Sequence, residues 1–256
     1  MSALKIDLVP LLKDNYGYLA HDPETAMTAA VDPSVAEPML AAAEARGWRI
    51  SHVLNTHHHA DHTGGNLEIK RATGCTIVGP RPDEARIPGI DVALDEGDSF
   101  RMGAAEAQIF FIPGHTRGHI AFWFPDSRAL FCGDTLFALG CGRLFEGTPS
   151  QMWSSLGKLR DLPGDTRVYC GHEYTQANAR FARTVDPEND TLADRAVRID
   201  ALRAESRPTI PSTMAEERVT NPFLRADDPA LAAAVGLAGA DPVSVFAEVR
   251  RRKDEF

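Results

Sequence analysis

Cysteine is scarce: Cys75, Cys132, Cys141 and Cys170 are the four in 256 residues, and no two form a C-x-x-C pair. Neither a disulfide framework nor a thiolate-rich structural zinc site is expected from them. Positive charge is in deficit, with Lys+Arg 27 against Asp+Glu 36 and a formal net charge of -9, which disfavours a nucleic-acid binder. No apolar run approaches the roughly 18 residues of a membrane span. The opening stretch MSALKIDLVPLLKDNYGY is broken by Lys5, Asp7, Lys13 and Asp14, so a signal-peptide apolar core is missing. A nucleophile elbow G-x-S-x-G is missing too, as are internal repeats and low-complexity tracts. These absences leave an acidic protein expected in the cytoplasm, away from membranes and nucleic acid. Its length fits one large domain, or one domain with a smaller appendage. A monomer is expected, since no exposed apolar helix face stands out.

Up to about residue 175, short apolar runs alternate with turn signals. LKIDLVP, YGYLAHD and TAAVDP read as strands, and SVAEPMLAAAEARG as a helix capped by Ser34 and ended by Gly47. RISHVLNT and CTIVGP read as strands around the helix NLEIKRATG. Ser99 to Thr135 is almost all strand, SQMWSSLGKLRDL is helical, and RVYCGHE is a final strand. After Glu173 the pattern is helical, with breaks at Pro187, Pro208, Pro211, Pro222, Pro229 and Pro242 and no strand between them.

The stretch THHHADHTGG, Thr56 to Gly65, crowds four imidazoles and a carboxylate into six residues. A metal site and a histidine-rich polar loop compete as explanations. In an extended segment His57 and His59 project together and His58 opposite. Asp61 and His62 converge with them only if the chain turns, and Thr63-Gly64-Gly65 is the expected turn. Repetition elsewhere favours the metal. His115 in IFFIPGHTRGH, Asp134 in ALFCGDT and His172 in RVYCGHE each follow an apolar run and a glycine, at a strand-to-loop junction. Imidazole and carboxylate suit zinc, iron or manganese. Seven ligands exceed one tetrahedral ion and fit two: His57, His59 and His115 on one, Asp61, His62 and His172 on the other, with Asp134 bridging. Cys132 and Cys170 are read as apolar fillers, and His119 as hydrogen-bonded support for the ligands. His21, His52 and His58 receive no functional role.

THHHADH, GHTRGH, CGDT and CGHE, in this order between Thr56 and Glu173, resemble the metallo-β-lactamase superfamily. The resemblance narrows to the glyoxalase II family, the hydroxyacylglutathione hydrolases. It does so through LKDNYGYL near the start, GCGRLFEG at 140–147, GHEYT at 171–175, NPFLR at 221–225 and the closing RRRKDEF. It implies an α/β fold: an αββα sandwich as a catalytic domain over residues 1–173, then an all-helical substrate-binding domain over 174–256. The implied reaction converts S-(2-hydroxyacyl)glutathione, chiefly S-D-lactoylglutathione, to glutathione and D-lactate, the second step of methylglyoxal detoxification. The implied attacking group is a hydroxide bridging two divalent ions, zinc first and iron or manganese otherwise, with Asp61 and Asp134 in the catalytic group. Substrate contacts are implied at Arg143, Phe145, Tyr174, Arg250 and Lys253. Better-known relatives carry lysine and tyrosine where this chain has Arg143 and Phe145. Arginine keeps the cation and adds a bidentate fork, whereas Phe145 has no hydroxyl to donate. Rival readings are a phosphodiesterase or β-lactamase on the same metals, a mononuclear iron dioxygenase, and a non-catalytic metal-storage protein.

Overall fold

The computed structural model describes residues 3–256. Its internal contacts divide it into two compact units. The first runs to Phe111 and resumes over Arg117–Gly133; the second comprises Ile112–Thr116 and Asp134–Phe256. The boundary expected at 173/174 therefore lies inside the second unit, which holds the helical stretch together with residues 134–173.

In the first unit, β1 (Lys5–Leu11), β2 (Asn15–His21) and β3 (Thr28–Val31) form an antiparallel meander, as their short connections require. The connections then lengthen into helical crossovers and the pairing turns parallel. Helix α1 (Ala36–Ala45) leads to β4 (Ile50–Leu54), and α2 (Ala60–Thr63) with α3 (Asn66–Thr73) leads to β5 (Thr76–Pro80), which pairs with β6 (Val92–Leu94). Leu19, Ala30, Val53 and Ile77 from the strands pack with Met39 and Ile69 from the helices in one buried cluster. Each fully buried large apolar side chain stabilises the fold by about 1.5–3 kcal/mol. A second, antiparallel sheet runs in the order β10-β9-β8-β7 within this unit, from β7 (Ser99–Met102), β8 (Ala105–Phe111), β9 (Ile120–Phe124) and β10 (Ala129–Gly133). The unbroken apolar run of β9 is buried at every residue.

Gly74 ends α3 in the left-handed region, φ 73, as its sequence position indicates. Ser34 does not cap α1. The helix starts later, with Val35 at the N-cap and no side-chain cap bond, and Ser34 Oγ instead donates to Asp61 O at 2.5 Å.

The second unit contains the hairpin β11 (Leu136–Phe137)–β12 (Gly140–Cys141), helix α4 (Pro149–Arg160), β13 (Arg167–Cys170), and helices α5 (Thr175–Val185) and α6 (Asp190–Ala204). It continues with β14 (Ser212–Thr213), α7 (Met214–Thr220), α8 (Pro229–Ala234) and α9 (Pro242–Glu255). β14 corrects the strand-free reading of this stretch: Ser212 pairs with Val168 and Thr213 with Arg167. Two residues are too short to carry a periodicity. Thr213 and Glu216 close a capping box on α7, and Asn189, Asp228 and Asp241 cap α6, α8 and α9. Among the described residues no helix is long and apolar enough to cross a membrane.

Candidate active site

The histidine stretch follows β4, and its turn comes earlier than the glycines suggest. His59 is the N-cap of α2 (φ -58, ψ 143), and its carbonyl accepts from His62 N at 2.9 Å and Thr63 N at 3.1 Å. That single helical turn carries His62 back to His57, with ring centroids 4.2 Å apart; His57 and His59 are 4.8 Å apart. His58 faces Asp83, its Nδ1 2.9 Å from Oδ2.

Asp32, in the run TAAVDP, lies beside Thr56 and His62. Its Oδ1 accepts from Thr56 N at 2.8 Å and its Oδ2 from Thr56 Oγ1 at 2.7 Å; Oδ2 also lies 3.3 Å from His62 Nδ1. Because Thr56 Oγ1 gives its hydrogen to Asp32, it acts as acceptor for His57 Nδ1, 3.1 Å away. His57 Nδ1 is thereby engaged by Thr56, the usual support for a metal-binding imidazole, and Asp32 Oδ2 is the carboxylate oxygen beside His62 Nδ1. Asp32, His57 and His62 present candidate ligand atoms within 4.8 Å of one another. Asn15 Nδ2 donates to Asp61 O and Oδ2 at 3.1 Å each. His119, fully buried, stacks on His57 with centroids 4.6 Å apart, and its Nδ1 lies 3.1 Å from Ile120 O.

In the second unit Asp134 Oδ2 stands 3.4 Å from His115 Nε2 and 3.3 Å from His172 Nε2. His115 Nδ1 is 2.9 Å from Arg143 O, a carbonyl that can only accept, so Nδ1 carries a proton and Nε2 is the nitrogen turned toward Asp134. His172 stacks on Tyr174, centroids 4.6 Å apart and 5° from parallel. All four cysteines are buried. Burial pushes the Cys170 thiol up to about 12 and that of Cys141 to about 11, so both stay protonated and neither serves as a thiolate. Each unit thus presents a nitrogen-and-carboxylate donor set, which fits a divalent ion that accepts both.

Of the expected substrate residues, Phe145 is 61% exposed, its ring 5.2 Å from that of His115, and Arg143 is exposed beside it. Arg250 points inward at 5% exposure: Nη1 donates to Cys141 O at 2.9 Å and Nη2 pairs with Asp254 at 2.9 Å. Arg250 Nε is buried and has no hydrogen-bond partner among the described residues. Lys253 lies 5.1 Å from the ring centroids of both Phe181 and Phe256. Burial, then the neighbouring Arg250, Arg180 and Arg143, lower its pKa to about 8. The ammonium is charged at neutral pH and is lost as pH rises through 8. KM for an anionic substrate should therefore climb between pH 7 and 9, whereas Lys253→Met should give a raised and flat KM across that range. The same depression means the unfolded chain holds this proton more tightly, so from this group alone stability rises between pH 8 and 10.5.

Residues 22–172 match the metallo-beta-lactamase superfamily, and residues 173–256 match the hydroxyacylglutathione hydrolase C-terminus. The hydroxyacylglutathione hydrolase of Methylococcus capsulatus is 62% identical over 253 residues, 99% of this chain and 99% of that one. The chain belongs to the hydroxyacylglutathione hydrolase family. The hydroxyacylglutathione hydrolase of Rhodospirillum rubrum is 58% identical over 256 residues, the whole of both chains. Among solved structures, ETHE1 from Myxococcus xanthus superposes with a TM-score of 0.69 at 25% identity, over 98% of this chain and 90% of that one. TTHA1623, solved in a di-iron-bound form, gives a TM-score of 0.61 at 25% identity over 84% of this chain and 98% of that one. The fold of this hydroxyacylglutathione hydrolase family member is the metallo-β-lactamase fold, and its His/Asp clusters suit a dinuclear metal site.

Proposed function

We propose that the chain hydrolyses S-(2-hydroxyacyl)glutathione thioesters, with S-D-lactoylglutathione as the leading substrate and glutathione and D-lactate as products. The observation that carries this reading is identity of 51–62% over essentially the full length to relatives named for that activity. His57, His59 and His115 would hold one divalent ion and Asp61, His62 and His172 a second, with Asp134 shared between them. Bound there, the ions supply Lewis acidity that lowers the pKa of water toward ~7 and polarises the thioester carbonyl.

The remaining work falls to the chain's own side chains. Thr56 engages Nδ1 of His57, Asp32 Oδ2 lies 3.3 Å from Nδ1 of His62, and Arg143 O accepts from Nδ1 of His115, contacts that would orient these rings as ligands. Arg143 and Lys253 offer cationic donors for glutathione carboxylates, Arg250 would have to turn away from Cys141 O to join them, and Tyr174 and Phe145 offer aromatic surface. These residues support a recognition role for 174–256 together with the 143–145 segment. The leaving thiolate has an ordinary pKa near ~8.5, so its departure asks little of a general acid. Zinc is the metal we favour, the cytoplasm the location and a monomer the working state; the donor set and the buried thiols of all four cysteines support the first two.

The test is hydrolysis of S-D-lactoylglutathione, followed as loss of thioester absorbance, beside a bis-aryl phosphodiester and a cephalosporin. The expected outcome is rapid turnover of the thioester alone. Phosphodiester or β-lactam cleavage with an untouched thioester contradicts the reading.

A further inference from the structure

The hairpin β11–β12 joins Asp134 to Arg143, and its two-residue strands are too short to hold a shape through their own ladder. Its turn includes Leu139 at φ 57, a left-handed backbone that a non-glycine residue keeps only where its surroundings enforce it. Side chains from α5, α7 and α9 do the enforcing. Glu217 Oε2 accepts from Leu139 N at 2.9 Å. Asn221, at the C-cap of α7, places Nδ2 3.1 Å from Phe137 O and 3.1 Å from Gly140 O. Asn178 Nδ2 donates to Ala138 O at 3.1 Å, and Arg250 Nη1 to Cys141 O at 2.9 Å. Five consecutive residues, 137–141, thus have a backbone group held by a side chain.

The two central anchors are wholly buried and are themselves fixed. Glu217 Oε1 meets Arg195 Nη2 at 2.5 Å, and its Oε2 lies 3.1 Å from Asn221 Nδ2. A buried carboxylate is tolerated only when so surrounded. The hairpin in turn sets what flanks it. A Cβ on Gly142 would stand 2.0 Å from Asp134 O, so that glycine lets the two strands close, and Arg143 O meets His115 Nδ1.

We infer that Asn221 and Glu217 are positioning residues for substrate recognition. They fix the β11–β12 turn and thereby the place of Arg143 relative to Asp134. For its substrate the inference rests on the thioesterase reading proposed above. Neither side chain belongs to the ligand set or to the group of expected substrate contacts.

A double-mutant cycle on the full chain tests this, with Asn221→Ala, Arg143→Ala and the pair assayed on S-D-lactoylglutathione. If Asn221 acts through Arg143, each single change raises KM about tenfold and the pair raises it no further, a coupling in the range seen within one network. kcat should move less than about threefold, as when uniform binding is lost. A KM unchanged by Asn221→Ala, or two effects that multiply in the pair, overturns the inference. Should Asn221→Ala fail to fold, Asn178→Ala withdraws a single bond from the same turn and is read in the same cycle. Hydrogen exchange over residues 137–141 needs no substrate and separates the two readings. Exchange there should quicken in Asn221→Ala and not in Arg143→Ala, and unchanged exchange in Asn221→Ala overturns the inference. A wild-type chain inert toward the thioester defeats the functional reading alone.

Discussion

Asp134→Ala should lower kcat/KM by roughly a thousandfold and remove bound metal with it, since a bridged ion's charge stabilisation contributes several kcal/mol. Asp134 Oδ2 stands within 3.4 Å of His115 Nε2 and 3.3 Å of His172 Nε2, so it is the anionic member of the second unit's donor trio. Alanine leaves His115 and His172 facing a space that no carboxylate fills. Asp134→Asn keeps the shape and loses the charge, and should fall between wild type and alanine in metal content. Both are checked by kcat/KM on the thioester and by elemental analysis of the same sample. Full activity with two bound ions in Asp134→Ala would remove Asp134 from the bridging place.

Arg195→Ala should destabilise the fold by about 3–5 kcal/mol, the loss that follows when one partner of a buried ion pair is removed. Arg195 is 5% exposed; its Nη2 meets the wholly buried Glu217 and its Nη1 donates to Thr220 Oγ1 at 2.6 Å. Without it Glu217 keeps a buried charge whose remaining partners are neutral. The contrast is Arg81, which meets Asp95 at 2.5 Å with both side chains at least half exposed. Arg81→Ala should cost under ~1 kcal/mol, because solvent screens that pair. Urea midpoints of the two variants at unchanged m-value measure the difference. A loss for Arg195→Ala as small as for Arg81→Ala would mean the Glu217 cluster relaxes without it.

The proposed ligand residues stand out locally in the sequence. His115, Asp134 and His172 each sit just past a strand-like run and a glycine, and the glycine has a steric reason. At Gly133, φ 47, a Cβ would stand 2.2 Å from Thr56 Oγ1. The strands of the first unit were legible for the same reason: runs such as IAFWF are buried at every position. What escaped depends on partners distant in sequence. Asp32 ends a strand-like run and takes on a role only against Thr56 and His62, 24 and more positions away. The early turn at α2 follows from the His59 carbonyl accepting two N–H groups, which no spacing rule reveals. NPFLR could be matched to a family, but Asn221 finds its role only against Phe137 O and Gly140 O, 84 and 81 residues earlier. β14 is two residues long and exists through its pairing with β13.

The most direct test of the account is a metal titration of stripped protein, with bound ions and S-D-lactoylglutathione turnover measured in the same samples. Turnover should be negligible without metal and reach its plateau at two ions per chain. Full turnover in the stripped protein, or a plateau at one ion with the second left unbound, would contradict a seven-ligand dinuclear thioesterase.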